Sequence, residues 1–240
     1  MQRLADLLIF VGPSGGGKST LIAHLLQTWP HQFSFCTSHT TRKPRRGEVD
    51  GKHYHFVSRD TFKHMIHRGE FVEYNRVFSS SGSKDEANAS GRSDIRNGGN
   101  LLAEDDADYY GTSKRELHGI LGANKVAVLD TDITGAINIK KYCGNFVNDS
   151  SSHLETPLRV QVVLVKLPSL DLLKERLHLR GSESEASLQR RLSASEKLMK
   201  WCTAHPDFFH CDLVNLSLDI CKSELRSFVR RSVLQNACRL

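Results

Sequence analysis

The chain has 240 residues, with 33 Lys and Arg against 27 Asp and Glu for a formal charge of +6, and 39% hydrophobic and 25% charged residues. That balance describes an ordinary folded domain with appended subdomains and excludes a disordered or fibrous chain. No apolar run reaches the ~18 residues that span a bilayer. The basic residues form no compact tract with an aromatic RNA-binding motif, and the cysteines form no C-x-x-C pair, so no membrane, nucleic-acid or zinc partner is expected and the thiols are expected to be reduced.

The first element is the run Leu7-Leu8-Ile9-Phe10-Val11, which has the length and composition of a buried parallel strand. Gly12-Pro13-Ser14-Gly15-Gly16-Gly17-Lys18-Ser19 follows and fits G-x-x-x-x-G-K-[ST]. A helix from Lys18 to Thr28 is then indicated by Leu21, Ile22, Leu25 and Leu26 at helical spacing. Strand, glycine loop and helix occur in the order a phosphate cradle requires. Loop N–H groups point inward on an anion and the helix adds its positive end. Lys18 is expected to reach the β/γ-phosphates and the Ser19 hydroxyl to hold Mg²⁺. Gly12, Pro13, Ser14, Gly15, Gly16, Gly17, Lys18, Ser19 and Thr20 together form the candidate ATP site.

From Phe33 to Tyr110 short aromatic and basic segments replace the long apolar runs, which suggests an inserted, mainly β, substrate-binding subdomain. Within it Asp60 is a plausible N-cap for a short helix, Thr61 to Arg68. Ser79 to Asp105 is rich in Ser, Gly, Asn and Asp and reads as a solvated loop, and Asn145 to Glu155 as a shorter excursion of the same kind. Helices are expected at Lys114 to Gly122, Leu170 to Arg180, Ser187 to Ala204 and Asp219 to Leu234. Val126 to Leu129, Val160 to Val165 and Leu213 to Leu216 are unalternating apolar runs suited to parallel strands covered on both faces. The pattern is an α/β doubly wound one.

A phosphate cradle alone serves GTPases, ATPases and kinases, and the remaining segments narrow the choice. Ser38-His39-Thr40-Thr41-Arg42-Lys43-Pro44-Arg45-Arg46-Gly47-Glu48, Gly51-Lys52-His53-Tyr54-His55-Phe56-Val57, Gly69-Glu70-Phe71-Val72-Glu73, Tyr109-Tyr110-Gly111-Thr112, Leu129-Asp130-Thr131-Asp132 and Arg176 to Gly181 appear in that order. Together with the cradle they resemble the guanylate kinases from about Leu7 to Phe228. The resemblance implies a P-loop nucleoside-triphosphate-binding fold with a five-stranded parallel sheet core, an inserted GMP-binding subdomain and a helical lid. It places the domain at residues 4–235, with the core at 4–32, 113–172 and 205–235, the GMP-binding subdomain at 33–112 and the lid at 173–204.

The reaction implied is ATP plus GMP giving ADP plus GDP, with Mg²⁺ and with dGMP as a second acceptor. Guanine offers N1–H and 2-amino donors side by side, so a carboxylate can accept both, and Glu73 fits that task, with Ser38 and Thr112 as hydroxyl partners. Arg42, Arg45, Tyr54 and Tyr110 resemble the clamp on the acceptor phosphate, which suits the planar arginine fork. Transfer between two phosphates needs positioning and charge stabilisation more than a base. Lys18, Arg42, Arg176, Arg180 and Arg191 are the candidate catalytic cations, the last three in the lid. Asp130 and Asp132 end a strand at the ligand edge of the sheet; Asp130 is placed with the metal and Asp132 with the acceptor, although either could instead orient Lys18. Asn215 matches an adenine-pocket position, but Leu216 and Ser217 replace the acidic residues usual after it.

A protein-binding domain without catalysis, or a P-loop kinase for another acceptor, would share much of this pattern. The intact Gly17, Lys18 and Ser19 speak against the first, and Glu73 with Ser38 against the second. The expected state is a monomer or weak homodimer. Cys238-Arg239-Leu240 follows the small, basic, leucine order of a C-terminal peroxisomal address, so a peroxisome-type organelle such as a glycosome is one expected location and the cytoplasm the other.

Overall fold

The computed structural model describes residues 2–78, 107–144, 157–179 and 185–235. The expectations for 79–105, for 145–155, for Arg180 and for the tail at 236–240 fall outside those residues. In chain order the elements are β1 (Gln2–Arg3), β2 (Leu7–Val11), α1 (Lys18–Thr28), β3 (Phe33–Phe35), β4 (His39–Thr40), β5 (His55–Phe56), α2 (Arg59–His67), β6 (Phe71–Phe78) and β7 (Ala107–Ser113). They continue with α3 (Lys114–Gly122), β8 (Val126–Asp130), α4 (Ile133–Gly144), β9 (Val160–Lys166), α5 (Leu170–Leu179), α6 (Glu185–Ala204), β10 (Cys211–Val214), α7 (Leu218–Ser232) and β11 (Leu234–Gln235).

A five-stranded sheet in the order β10-β9-β2-β8-β3 forms the core, and every pairing in it is parallel. Its side chains alternate between two apolar layers, as the two-residue period of a strand demands. Leu8, Phe10, Val126 and Val128 face Leu21 and Leu25 of α1 and Leu225, Phe228 and Val229 of α7. Leu7, Ile9, Val11, Ala127 and Leu129 face Leu117 and Ile120 of α3 and Ala136 and Ile139 of α4. With helices on both sides the strands need no polar face, which is why β2 is apolar throughout. Full burial of each such Leu, Ile or Phe contributes roughly 1.5–3 kcal/mol.

The second sheet runs β5-β4-β7-β6 and has its own small core of Phe62, Met65, Phe71 and Tyr109. Its long pair, β6 with β7, is antiparallel and closes with Phe78 opposite Ala107. Between Phe71 and Glu73 the register shifts by one residue. Phe71, Val72 and Glu73 are all buried in succession, and the bulge bends the strand so that the three side chains enter different surroundings. Phe71 enters the subdomain core, Val72 enters the core beneath the large sheet, and Glu73 is left for the space between.

Four expectations are corrected. The fifth core strand is β3, which pairs with Val126 to Val128, so Phe33 to Phe35 belong to the core sheet and not to the inserted subdomain. Helix α2 starts at Arg59 and its cap is Ser58, whose hydroxyl accepts from Thr61 N at 3.1 Å; Asp60 lies in the first turn instead. Helix α4 is absent from the sequence reading. The last core strand spans Cys211–Val214, two residues earlier than expected, because the chain turns directly after it, with Leu216 N donating back to Val214 O at 2.9 Å.

Candidate functional site

The loop between β2 and α1 wraps on itself, with Gly16 N donating to Pro13 O at 3.0 Å. Gly17 caps α1 with a φ of 98°, and a Cβ there would come within 2.2 Å of Asn215 Nδ2, so glycine is required on both counts. Lys18 Nζ donates to Gly12 O at 2.8 Å and Pro13 O at 3.2 Å and lies 3.7 Å from Asp130 Oδ1. The ammonium is thus held at the loop mouth beside the end of β8. Ser14 is exposed at the loop tip, as are Ser19 and Thr20 in the first turn of α1. Gly15 packs against Leu173 and Leu177 of α5, which seats that helix on the cradle.

Asn215, expected at the donor base, is buried and gives its Nδ2 to Gly16 O at 2.7 Å. In this structure its carboxamide braces the loop. Arg176 on α5 donates to the Asn215 carbonyl at 3.0 Å, and Arg191 on α6 donates to Ser14 Oγ at 2.8 Å. Two arginines therefore converge on the cradle from α5 and α6, which pack together through Leu173, Leu177 and Leu188. Arg180 lies outside the described residues.

The second half of the site is built where β6 and β7 meet the start of α4. Glu73 is 8% exposed, and Thr112 Oγ1 donates to its Oε1 at 2.8 Å. Burial pushes the Glu73 carboxyl up to about 7, the Thr112 hydrogen bond lowers it in part, and the nearby Asp132 raises it again. Asp132 Oδ1 accepts from Gly135 N at 2.7 Å, capping α4, and from Asn75 Nδ2 at 3.0 Å. Gly135 brings the helix close: a Cβ on it would stand 2.1 Å from Thr131 Oγ1 and 3.2 Å from Glu73 Oε2. Ser38 ends the chain segment entering β4 and accepts from His55 N through its carbonyl at 2.9 Å.

Nearby, Arg42 Nε donates to Tyr110 Oη at 3.1 Å, and its guanidinium lies 5.4 Å from the Tyr54 ring centre. Tyr54 and Tyr110 meet edge to face at 5.8 Å. Arg42 is also paired with both oxygens of Glu48 at 2.9 and 3.0 Å. Arg45 is exposed, and its backbone N donates to Glu48 Oε2 at 2.7 Å. His39 and His55 meet with their rings tilted at 34° and their centres 4.6 Å apart. Burial drives the His39 ring down to about 4, so it is neutral there.

The structure thus brings the predicted residues into two clusters, one of backbone amides, Lys18, Asp130, Arg176 and Arg191, the other of Glu73, Thr112, Asp132, Arg42 and two tyrosines. Glu48, Asn75 and Gly135 join them without having been singled out as site residues. Glu48 was legible as the one acid closing a run of basic residues; Asn75 carried no signal. Among the described residues no group of three or more His, Cys, Asp or Glu is arranged to hold a metal ion. Ser19 and Asp130 would suit an ion that keeps most of its waters and rides on phosphates, as Mg²⁺ does. Among the same residues no helix is long and apolar enough to cross a membrane.

The sequence model of one family, guanylate kinase, matches residues 5–88 and 93–232. The guanylate kinase of Sus scrofa is 35% identical over 212 residues, covering 88% of this chain and 85% of that protein. That of Homo sapiens is 34% identical over 226 residues, with 94% and 93% covered, and that of Helicobacter pylori 32% identical over 233 residues, with 97% and 90% covered. Among solved structures the guanylate kinase from Anaplasma phagocytophilum superposes with a TM-score of 0.57 at 20% identity, covering 100% of this chain and 91% of that one; at that identity the likeness concerns the fold.

Proposed function

The chain belongs to the guanylate kinase family, and from that premise we propose how its residues divide the work of moving a phosphoryl group from ATP to GMP. The β2–α1 loop takes the donor phosphates on its amides and on Lys18. Glu73, with Thr112 and Ser38, reads the guanine edge: its carboxylate accepts from N1–H and the 2-amino group, which adenine cannot supply. Asp132 shares that pocket from the core side. Arg42, Arg45, Tyr54 and Tyr110 receive the acceptor phosphate. Arg176 and Arg191, with Arg180 beyond the described residues, neutralise charge on the phosphates in flight.

Ser19 and Asp130 would hold, on the protein side, the Mg²⁺ that comes with the triphosphate, and the ion would supply positive charge where the leaving phosphate gains negative charge. Lys18 is anchored at one edge by loop carbonyls and at the other by Asp130, so it meets the nucleotide without searching for its place. The lid, by closing over the cradle, keeps water from taking the phosphoryl group. dGMP fits as a second acceptor because none of the assigned contacts depends on the 2′-hydroxyl.

The observation that carries the acceptor assignment is the buried Glu73 carboxylate beside the Thr112 hydroxyl, within a chain that also holds a complete phosphate cradle. A site that commits buried polar groups to one edge of a base rejects an analogue that leaves them unpaired, by a factor on the order of 10⁴. A coupled assay of ADP release with GMP, AMP, CMP and UMP tests it. Fast turnover is expected with GMP alone, and AMP turned over as fast as GMP would remove the role given to Glu73.

A further inference from the structure

We infer that Glu48 is a positioning residue for the acceptor phosphate: it fixes the Arg42 guanidinium beside Tyr54 and Tyr110, so that the phosphate meets a cation already oriented. The inference rests on the assignment of Arg42 to the acceptor phosphate made above. An arginine has five N–H bonds. Here Nε–H goes to Tyr110 Oη at 3.1 Å, the two of Nη1 to Lys43 O at 2.8 Å and Glu48 Oε2 at 2.9 Å, and one of Nη2 to Glu48 Oε1 at 3.0 Å. Among the described residues a single N–H on Nη2 is left to meet a ligand.

The same carboxylate also sets the loop that carries the second arginine. Glu48 Oε2 accepts from Arg45 N at 2.7 Å, and Glu48 N donates back to Arg45 O at 3.0 Å. One side chain therefore defines the plane of Arg42 and the path of the chain at Arg45. Its hydrogen bond with Arg42 holds the Glu48 carboxyl down to about 2, so the pair stays ionised across the neutral range.

A chemical consequence separates this role from simple charge attraction. Arg42 and Glu48 sum to no net charge, so Arg42 draws the phosphate dianion mainly by the direction of its N–H bonds and only weakly at long range. Loss of Glu48 has two opposite effects: the cation gains long-range pull but loses its fixed aim. GMP binding should then weaken overall while becoming more sensitive to salt, since an unpaired surface cation is screened where an oriented pair is not.

The test measures kcat, the KM for GMP and ATP, and the dissociation constant of guanosine, which lacks the phosphate, for wild type, Arg42→Ala, Glu48→Gln and the double variant. Glu48→Gln is expected to raise the GMP KM about tenfold and steepen its salt dependence. Guanosine binding and the ATP KM should stay within about twofold, and the change should shrink in the Arg42→Ala background to the part that acts through Arg45. Glu48→Asp, which keeps the carboxylate on a shorter stem, should fall between wild type and Glu48→Gln and serves if the latter folds poorly. If Arg42→Ala leaves the GMP KM unchanged, the assignment of Arg42 is wrong. If Arg42→Ala raises it but Glu48→Gln does not, or if Glu48→Gln weakens guanosine as much as GMP, Glu48 does not position Arg42.

Discussion

At the scale of single residues, Glu73 is pulled two ways. Burial without a ligand favours its protonated form, whereas guanine's paired donors favour the ionised one. Its folded value of about 7 stands above the ordinary 4.5, which fixes the sign of its effect on stability. Below pH 4.5 the carboxyl is neutral in both folded and unfolded chains and costs nothing. Between 4.5 and 7 the unfolded chain ionises first, so stability falls, and above 7 the full penalty, on the order of 3 kcal/mol, is present. Glu73→Gln should therefore stabilise the unliganded protein at pH 8, by urea or thermal unfolding, and leave it unchanged at pH 4, while it weakens GMP selectively. An equal gap at both pH values would show that the carboxyl is unstrained. Guanosine is the better ligand for following the same proton in binding, because the phosphate of GMP itself titrates near about 6. Its affinity should climb with pH up to about 7 and then level off.

At the scale of elements, the start of α2 offers a direct comparison. Ser58 accepts from Thr61 N at 3.1 Å, so Ser58→Ala should cost about 1 kcal/mol. Asp60, in the first turn, gains only from the helix dipole, and Asp60→Ala should cost about 0.3–1 kcal/mol; urea unfolding of both variants ranks them, and a larger loss at Asp60 would reverse the assignment of the cap. The same helix shows what the sequence conveys and what it hides. Apolar runs such as Leu7 to Val11 announce themselves because both faces of the sheet are covered. Phe33 to Phe35 is three residues long and sits among aromatic loop segments, so nothing local marks it as the sheet's edge strand. Helix α4 did leave a signal, with Ile133, Ala136, Ile139 and Cys143 spaced three to four apart behind the capping Asp132, but it follows the site too closely to stand out. The cradle was legible as a strand, loop and helix because its residues are consecutive, whereas the Asn215 side chain that braces it comes from a distant part of the chain. The acceptor pocket was legible only as residue types, since the step in register at Val72 that turns Glu73 inward depends on packing between two sheets.

At the scale of the whole molecule, the two halves of the site belong to different sheets, and the hydrogen bond from Asn75 on β6 to Asp132 at the head of α4 ties them directly. Glu73 and Thr112 lie on the β6–β7 pair at about equal distances from its far end, where Phe78 faces Ala107. The chain that leaves β6 thus returns to β7 at the place it left. Exchanging residues 79–106 for a two-residue Asn-Gly turn, which suits the twist of an antiparallel pair, should leave the GMP KM within about twofold. Changing loop length alters closure entropy by only about 0.6 kcal/mol per doubling, so stability should hold as well, and a lost activity in a folded variant would mean that those residues take part in the chemistry. The far end of the hairpin is in that sense a socket: its two contacts stand about one strand spacing, roughly 5 Å, apart, and whatever is plugged into it, a fluorescent reporter included, hangs clear of the catalyst that carries it.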